Sequence, residues 1–273
     1  MRRLVHMSDL HFGRDRPELL EPLRQAVNGL KPDLIVISGD LTQRATDLQF
    51  AAAAAFIQGL TSPVITIPGN HDLPLHNLFV RIFLPWRRYR RWITADLEPR
   101  FIDDEIVVIG VNTVNRFAWQ QGWLRTRAIR KICTEFAGEG APRTRVVVVH
   151  HPLEHVLDDN KRLMRNAVLG LQALSDCGTD VVLSGHLHNW RAGPFAEVEG
   201  RRSALQVHAG TSLSNRLRGE INDFNLLEIA PGQITVHRHA FGDDGTVFSA
   251  VAASTFVAGP AGWGRAATPS PEA

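Results

Sequence analysis

Apolar residues recur along this chain with two different spacings. Short unbroken runs, "RLVHMS", "DLIVIS", "PVITIP", "RVVVV" and "DVVLS", are rich in β-branched side chains and read as strands. Elsewhere the spacing changes to three or four: Leu19, Leu23, Val27 and Leu30 form one stripe in "RPELLEPLRQAVNGL". "TQRATDLQFAAAAAFIQGL", "GWLRTRAIRKICTEF" and "NKRLMRNAVLGLQALSDC" read as further helices. Strands that alternate with helices predict a parallel sheet with right-handed crossovers. "RFIDDEIVVIGVN" reads as a hairpin. From Trp190 onward the pattern turns to β, with "GPFAEVEG", "RRSALQVHAG", "NDFNLLEIA" and "QITVHRHAF" as short strands. βαβ units followed by a β-rich half predict an α/β fold of two packed sheets with helices outside. No internal repeat or heptad pattern interrupts it.

Residues 73–100 break this rhythm. "LPLHNLFVRIFLPWRRYRRWITADLEP" mixes aromatic with basic residues and is punctuated by Pro74, Pro85 and Pro99, as expected of an insertion lying over the sheet end. Its arginines and aromatics could hold a phosphate and a base, stack on nucleic acid, or meet a lipid surface. The preferred reading is plainer: a homodimer contact, or helices that turn their aromatics inward. The closing stretch "GPAGWGRAATPSPEA" is rich in Gly, Ala, Pro and Ser, and is expected to be a disordered tail from residue 259. Residues 1–258 then form one domain.

Bulk properties change little. The 273 residues are 44% hydrophobic and 21% charged with a net charge of +2, which is too mild to argue for nucleic acid as a partner. The start "MRRLVHMSDLHFG" lacks a signal-like apolar core, and no apolar run reaches a membrane-spanning length of about 18 residues. Cys133 and Cys177 are the only cysteines and suggest no disulfide framework, so a reducing, cytoplasmic location is expected.

The candidate chemistry lies where strands end. Five polar clusters each follow an apolar run: Asp9-Leu10-His11, Gly39-Asp40, Gly69-Asn70-His71-Asp72, His150-His151-Pro152 and Gly185-His186-Leu187-His188. Ligands in open α/β sheets bind beyond the carboxyl ends of the strands, so parallel strands ending side by side would gather all five. In extended backbone the pairs Asp9/His11 and His186/His188 would each face one side. Glycines before Asp40, Asn70 and His186 suit close backbone approach. Two aspartates, one asparagine and four histidines are too many ligands for one tetrahedral ion. They suit two ions bridged by a carboxylate, for which Asp40 is the natural candidate. Two ions about 3.5–4 Å apart can activate a water and clamp a phosphoryl displacement. His6, His76, His155, His237 and His239 read as surface or satisfied core histidines. His151 and His208 adjoin the site loops and are candidates for orienting contacts.

In order along the chain, "SDLHFG", "SGDLT", "PGNHD", "VVHHP" and "SGHLH" resemble the motif set of the calcineurin-like metallophosphoesterases, over about residues 4–190. The resemblance implies a four-layer αββα double β-sandwich flanked by helices, with a dinuclear centre of Mn, Fe or Zn. One ion would take Asp9, His11, Asp40 and His188; the other would take Asp40, Asn70, His150 and His186. His150 is preferred to His151 because it directly follows the strand, as the family's ligand does. The family assigns the His71 position to stabilising the phosphoryl group or protonating the leaving oxygen, with Asp72 expected to orient its imidazole and raise its pKa. Asn112, Arg216 and Arg218, each just after a strand end, are candidates for the substrate rim.

Within the superfamily the chain is most similar to class III cyclic-nucleotide phosphodiesterases, through "SDLH", "GDLT", "GNHD", its compact length and "AGTSLSNRLRGEINDFNLLEI". It departs from the protein phosphatases, which carry "GDxVDRG" and "GNHE", and from lipid-A-precursor hydrolases, which place Gly and Asp after the middle histidine. The implied activity is hydrolysis of a small phosphodiester, a cyclic nucleotide or similar, by attack of a metal-bridging hydroxide. Alternatives are a phosphomonoesterase, or a lipid-headgroup or nucleic-acid diesterase. A non-catalytic metal-stabilised module is disfavoured because His71 is present along with every ligand.

Overall fold

Strands whose two faces are both buried need apolar residues at every position, and the first half of the chain supplies them. The structure is a computed structural model that describes residues 1–138, 142–154, 162–195, 202–242 and 247–267. Its strands β1 (Arg2–Met7), β2 (Leu34–Ile37) and β3 (Val64–Thr66) alternate with helices α1 (Leu20–Gly29) and α2 (Asp47–Gln58). Helices α3 (Leu78–Phe83) and α4 (Arg87–Trp92) form the insertion. The hairpin β4 (Arg100–Ile102) and β5 (Ile106–Gly110) leads through α5 (Thr126–Gly138), β6 (Thr144–Val148) and α6 (Ala167–Asp176) to β7 (Val181–Ser184). The rest is β: β8 (Arg191–Pro194), β9 (Leu205–His208), β10 (Asp223–Ala230), β11 (Gln233–Phe241), β12 (Phe248–Gly259) and β13 (Gly262–Arg265).

Two mixed sheets result, in the orders β13-β12-β11-β10-β1-β2-β3 and β4-β5-β6-β7-β9-β8. β1 runs parallel to β2, with Leu4 opposite Leu34, and antiparallel to β10, with Val5 opposite Leu226. β5, β6, β7 and β9 are parallel. The period of two sorts residues into layers. Leu4, Val36, Val108, Val146, Val148, Leu183, Leu227 and Phe256 pack between the sheets. Val5, Met7, Ile35 and Ile37 face α1 and α2, while Val107, Ile109, Val147 and Val182 face α5 and α6. The predicted αββα sandwich is the observed architecture. α2 begins at Thr46, whose hydroxyl accepts a hydrogen bond from the Gln49 amide at 3.3 Å, with Asp47 in the first turn.

The insertion mostly follows the plainer reading. Tyr89 is fully buried and its hydroxyl lies 2.8 Å from that of Thr66; Trp86 and Trp92 pack on the same core. Trp92 Nε1 and Arg88 both donate to Asp47, pinning α4 to the start of α2. Phe79 and Phe83 stay exposed, their rings 4.8 Å apart.

Two expectations are overturned. The segment from residue 259 is not a free tail: β13 pairs with β12, and Trp263 is buried, its Nε1 donating to Asp180 at 3.0 Å. The glycines and alanines that suggested disorder fill a tight hairpin closed by Gly262 at φ +103°, and only residues 268–273 lie outside the described ones. The cysteines also differ. α5 and α6 pack side by side on the second sheet, which brings Cys133 and Cys177 into a disulfide with Cα atoms 5.3 Å apart. The bond closes a 44-residue separation, for which chain entropy gives a stabilisation of about 2–4 kcal/mol. The oxidised protein is therefore expected to show no thiol accessible to Ellman's reagent after unfolding. Dithiothreitol or Cys177→Ser should lower its urea stability by about that amount. Among the described residues no helix is long and apolar enough to cross a membrane.

Candidate active site

The loops after β1, β2 and β3 leave the first sheet together. Asp9 N donates to Gly39 O (3.1 Å), His11 N to Asp40 O (3.0 Å) and Ile67 N to Ile37 O (3.2 Å), so parallel pairing continues into irregular backbone. The loops after β6 and β7 of the second sheet are tied likewise, Gly185 N donating to His150 O at 3.2 Å. Both bundles meet across the edge of the sandwich, and all five polar clusters converge there.

The backbone at this point is not extended. Asp9, His11, Asp40, His186 and His188 all have positive φ, between 50° and 73°. Asp9 and His11 share one centre because left-handed turns aim them there, and not through strand alternation; the same holds for His186 and His188. Non-glycine residues in this region are strained by about 1–3 kcal/mol each, and strain of this kind concentrates at functional sites. Two of the expected glycines are required by close approach. A Cβ at Gly69 would lie 2.1 Å from Asp40 Oδ1, and one at Gly185 would lie 1.8 Å from Ser8 Oγ.

At the centre, Asp9 Oδ1 lies 3.1 Å from His188 Nε2 and 3.4 Å from His11 Nε2. Asp40 Oδ2 lies 3.7 Å from His11 Nε2 and 3.3 Å from His150 Nε2. His11 Nε2 and His188 Nε2 are 3.2 Å apart. Among the described residues Asp9, His11 and His188 form one compact donor group, Asp9, Asp40 and His150 a second, His150, His151 and His186 a third, and His11, Asp40 and His71 a fourth. The remaining atoms of these side chains are fixed from behind. His150 Nδ1 donates to Ser38 O at 2.8 Å and His188 Nδ1 to Arg216 O at 2.9 Å, which turns each Nε2 toward the centre. Asp9 Oδ2 accepts from Ser8 Oγ (2.6 Å) and from the His186 amide (2.9 Å). The His71 amide donates to Asp40 Oδ1 at 2.8 Å.

Three buried atoms, Asp9 Oδ1, Asn70 Oδ1 and His150 Nε2, accept or donate no hydrogen bond. Such atoms are costly unless something else satisfies them. Burial opposes ionisation of Asp9 and Asp40, yet the histidines around them hold both carboxyls well below the usual range. Burial also opposes charge on His150, but Asp40 outweighs it and raises the imidazole to about 9. A site that draws positive charge this strongly, with inward-facing oxygen and imidazole nitrogen, fits transition-metal cations.

The Asn70–Asp72 turn departs from expectation. Asp72 does not orient His71: its carboxylate accepts from the amides of Gly69 (2.9 Å), Leu41 (3.2 Å) and Thr42 (2.9 Å) and from the Thr42 hydroxyl (3.0 Å). Consecutive residues of a 3₁₀ turn point about 120° apart, so neighbours cannot face each other. Asp72 clamps the Asn70 loop to the Asp40 loop instead, and burial with Asp40 nearby raises it to about 7. His71 is held by Gln43, whose backbone carbonyl accepts from Nδ1 at 3.0 Å, and its Nε2 lies 3.3 Å from Arg216 Nη1. Its pKa is lowered, chiefly by burial, and not raised.

Of the rim candidates, only Arg216 reaches the centre. Arg218 is exposed and makes no ion pair among the described residues. Asn112 is turned away, its Oδ1 accepting from the Val114 amide at 3.0 Å. Gln43 and Trp119 were not singled out in the sequence. Both line a shallow cavity of about 160 Å³ beside His71 and Asn70. Gln43 follows the Gly-Asp cluster and was visible in principle; Trp119 arrives from a distant loop with no local signal. His151 packs against the centre, its Nδ1 2.8 Å from Thr113 Oγ1, and His208 bonds Ser184 and Gln206. His155 lies outside the described residues.

The family model for calcineurin-like phosphoesterases matches residues 2–190. This chain is a calcineurin-like phosphoesterase. Like its family, which works through a dinuclear metal centre, this phosphoesterase is a phosphoric ester hydrolase. It is 24% identical over 274 residues to a probable cyclic nucleotide phosphodiesterase of Rhodopseudomonas palustris, covering 90% of this chain and 95% of the relative. It is 23% identical to the 3′,5′-cyclic adenosine monophosphate phosphodiesterase CpdA of Escherichia coli, covering 91% and 88%. A glycerophosphodiester phosphodiesterase, GpdQ of Enterobacter lignolyticus, matches at 26% over 55% of this chain and 57% of its own. In fold, the phosphoesterase is similar to a purple acid phosphatase from yellow lupin, with a TM-score of 0.65 and 15% identity. That match covers 93% of this chain, which spans about half (53%) of the lupin chain.

Proposed function

We propose that this phosphoesterase hydrolyses a small phosphodiester, with a cyclic nucleotide as the leading candidate, at a dinuclear transition-metal centre. The carrying observation is the convergence of Asp9, His11, Asp40, Asn70, His150, His186 and His188 on one buried centre, where the oxygens Asp9 Oδ1 and Asn70 Oδ1 have no hydrogen-bond partner. In this reading Asp9, His11, Asp40 and His188 would hold one ion, and Asp40, Asn70, His150 and His186 would hold the other. When bound, the ions supply an activated water and Lewis-acid stabilisation of the phosphoryl oxygens. Mn, Fe and Zn all suit this donor set.

The chain's own groups do the rest. Nδ1 of His71 is committed to Gln43 O, so Nε2 is the atom that meets the substrate. Arg216 beside it holds a phosphoryl oxygen. An anionic phosphoryl group entering there offsets the Arg216 charge and favours a proton on His71 Nε2, which can then be donated to the leaving oxygen. Gln43 and Asp72 keep the turn in register. Cyclic-nucleotide hydrolysis is supported by the two near-full-length relatives that carry that activity in their names.

Initial rates over cyclic AMP, cyclic GMP, glycerophosphodiesters, short oligonucleotides and nucleotide monoesters, with added Mn, test the substrate. A strong preference for monoesters would reject the diesterase reading. Arg216→Ala should lower kcat/KM by about 10–100-fold, the value of a charge-assisted hydrogen bond, with much of the effect in KM. Unchanged kinetics would remove Arg216 from the substrate path.

A further inference from the structure

A cavity of about 630 Å³, whose described lining shares no residue with the His/Asp cluster, lies between the end of the insertion, the segment after β5 and the start of α5. The 115–121 segment contributes Arg116 and Phe117 to this cavity, and Trp119 and Gln120 to the shallow mouth beside His71. No histidine is among its described lining residues, so it lacks the groups for turnover. Its volume falls in the range of small-molecule sites, roughly 300–1,000 Å³.

Its charge is unbalanced. Arg90, Arg116, Arg125, Arg127 and Lys131 line it against Asp96 and Glu98. Both carboxylates are engaged: Glu98 lies 4.0 Å from Lys131 and accepts from the Asn112 amide, and Asp96 accepts from the Glu98 amide at 2.9 Å. Arg116 donates to Ile82 O at 2.9 Å. Among the described residues, Arg90, Arg125 and Arg127 have no carboxylate within 4.0 Å. Arg125 is half-buried, and burial with Arg127 and Arg116 disfavours its charge against the pull of Glu98. Aromatic surface accompanies these cations. Trp86 lines one wall, Phe117 is 68% exposed, and Arg125 and Arg165 lie 5.4 and 5.0 Å over Trp123. A guanidinium lying over an aromatic ring, as Arg125 does here, keeps its donors available for phosphate.

We propose that this cavity is a second binding site, distinct from the hydrolytic centre, for a phosphorylated small molecule carrying an aromatic ring, such as a mononucleotide. Arg125 and Arg127 take the phosphate, and Trp86 and Phe117 take the ring. The proposal does not depend on which phosphodiester is hydrolysed.

Calorimetric titration of the full chain in chelator, where 5′-AMP meets no bound metal, tests it. AMP should bind saturably, and adenosine and inorganic phosphate should each bind at least about tenfold more weakly, because each satisfies only half of the site. Arg127→Ala, an exposed helix position that leaves folding intact, and Arg125→Ala should each weaken AMP binding by about tenfold. Arg216→Ala, at the hydrolytic mouth, should leave it unchanged. Absence of saturable AMP binding, indifference to both Arg125→Ala and Arg127→Ala, or loss in Arg216→Ala would overturn the site. Phosphate or adenosine binding as tightly as AMP would overturn the proposed ligand class.

Discussion

Asp40→Asn should lower turnover of bis-p-nitrophenyl phosphate by about a thousandfold or more and reduce bound metal, while His71→Ala should keep the metal and lose about 10²–10⁴ in kcat. The contrast follows from geometry. Asp40 Oδ2 sits between His11 and His150, within 3.7 and 3.3 Å of their inward nitrogens, so it is the group placed to join both halves of the donor set. The asparagine retains an oxygen for the His71 amide bond but removes the charge. His71 lies beside His11 and Asp40, but its Nδ1 is anchored to Gln43 and its Nε2 faces Arg216, so it is assigned to the substrate and not to the metal. Metal analysis beside initial rates separates the two. If Asp40→Asn holds two equivalents of metal at full activity, or if the chelated protein works as well as the loaded one, the dinuclear reading fails.

The second large effect is on stability. His6 and His208 are fully buried and held neutral: burial lowers His6 to about 3 and His208 to about 4. Their partners are uncharged, Ser38 for His6 and Ser184 with Gln206 for His208. Below pH 6.5 the unfolded chain takes up protons on both while the native state does not, so their contribution to stability falls as pH falls. Two carboxyls run the other way. Burial raises Asp72 to about 7, and raises Asp223 to about 6 against the pull of Arg238, so both gain native-state protons over the same window. The wild-type profile is therefore flattened, and the histidine contribution appears by difference. Relative to wild type, His6→Gln/His208→Gln should gain about 4 kcal/mol between pH 6.5 and 4.5 in chelator. Urea midpoints at the two pH values measure it; a difference independent of pH would mean that these imidazoles titrate normally.

Several local readings of the chain carried through. Both faces of β2 and β6 are buried, so their apolar runs signalled strands without alternation. The basic-aromatic insertion turned Trp86, Tyr89 and Trp92 inward, as its plainer reading held. Other readings failed for identifiable reasons. The "GPAGWGRAA" segment has a disordered composition but is held by β12 and by Asp180, a partner remote in sequence. Pairing by alternation failed at Asp9/His11 and His186/His188 because those residues lie beyond the strands in left-handed turns, which only the surrounding loops can enforce.

The amino-acid sequence alone determined the order of strands and helices, the placing of polar clusters after apolar runs, and the donor chemistry of Asp9, His11, Asp40, Asn70, His150, His186 and His188. Each is a property of residues close together in the chain, where periodicity and side-chain chemistry act directly. Only the tertiary structure decided that the two sheets present their loops to one edge, that Cys133 meets Cys177, that Asp72 clamps Thr42 and does not orient His71, and that Arg216 reaches His71 while Arg218 does not. Those outcomes depend on sheet order and layer packing between distant segments, and such contacts leave no local imprint on the residues that make them.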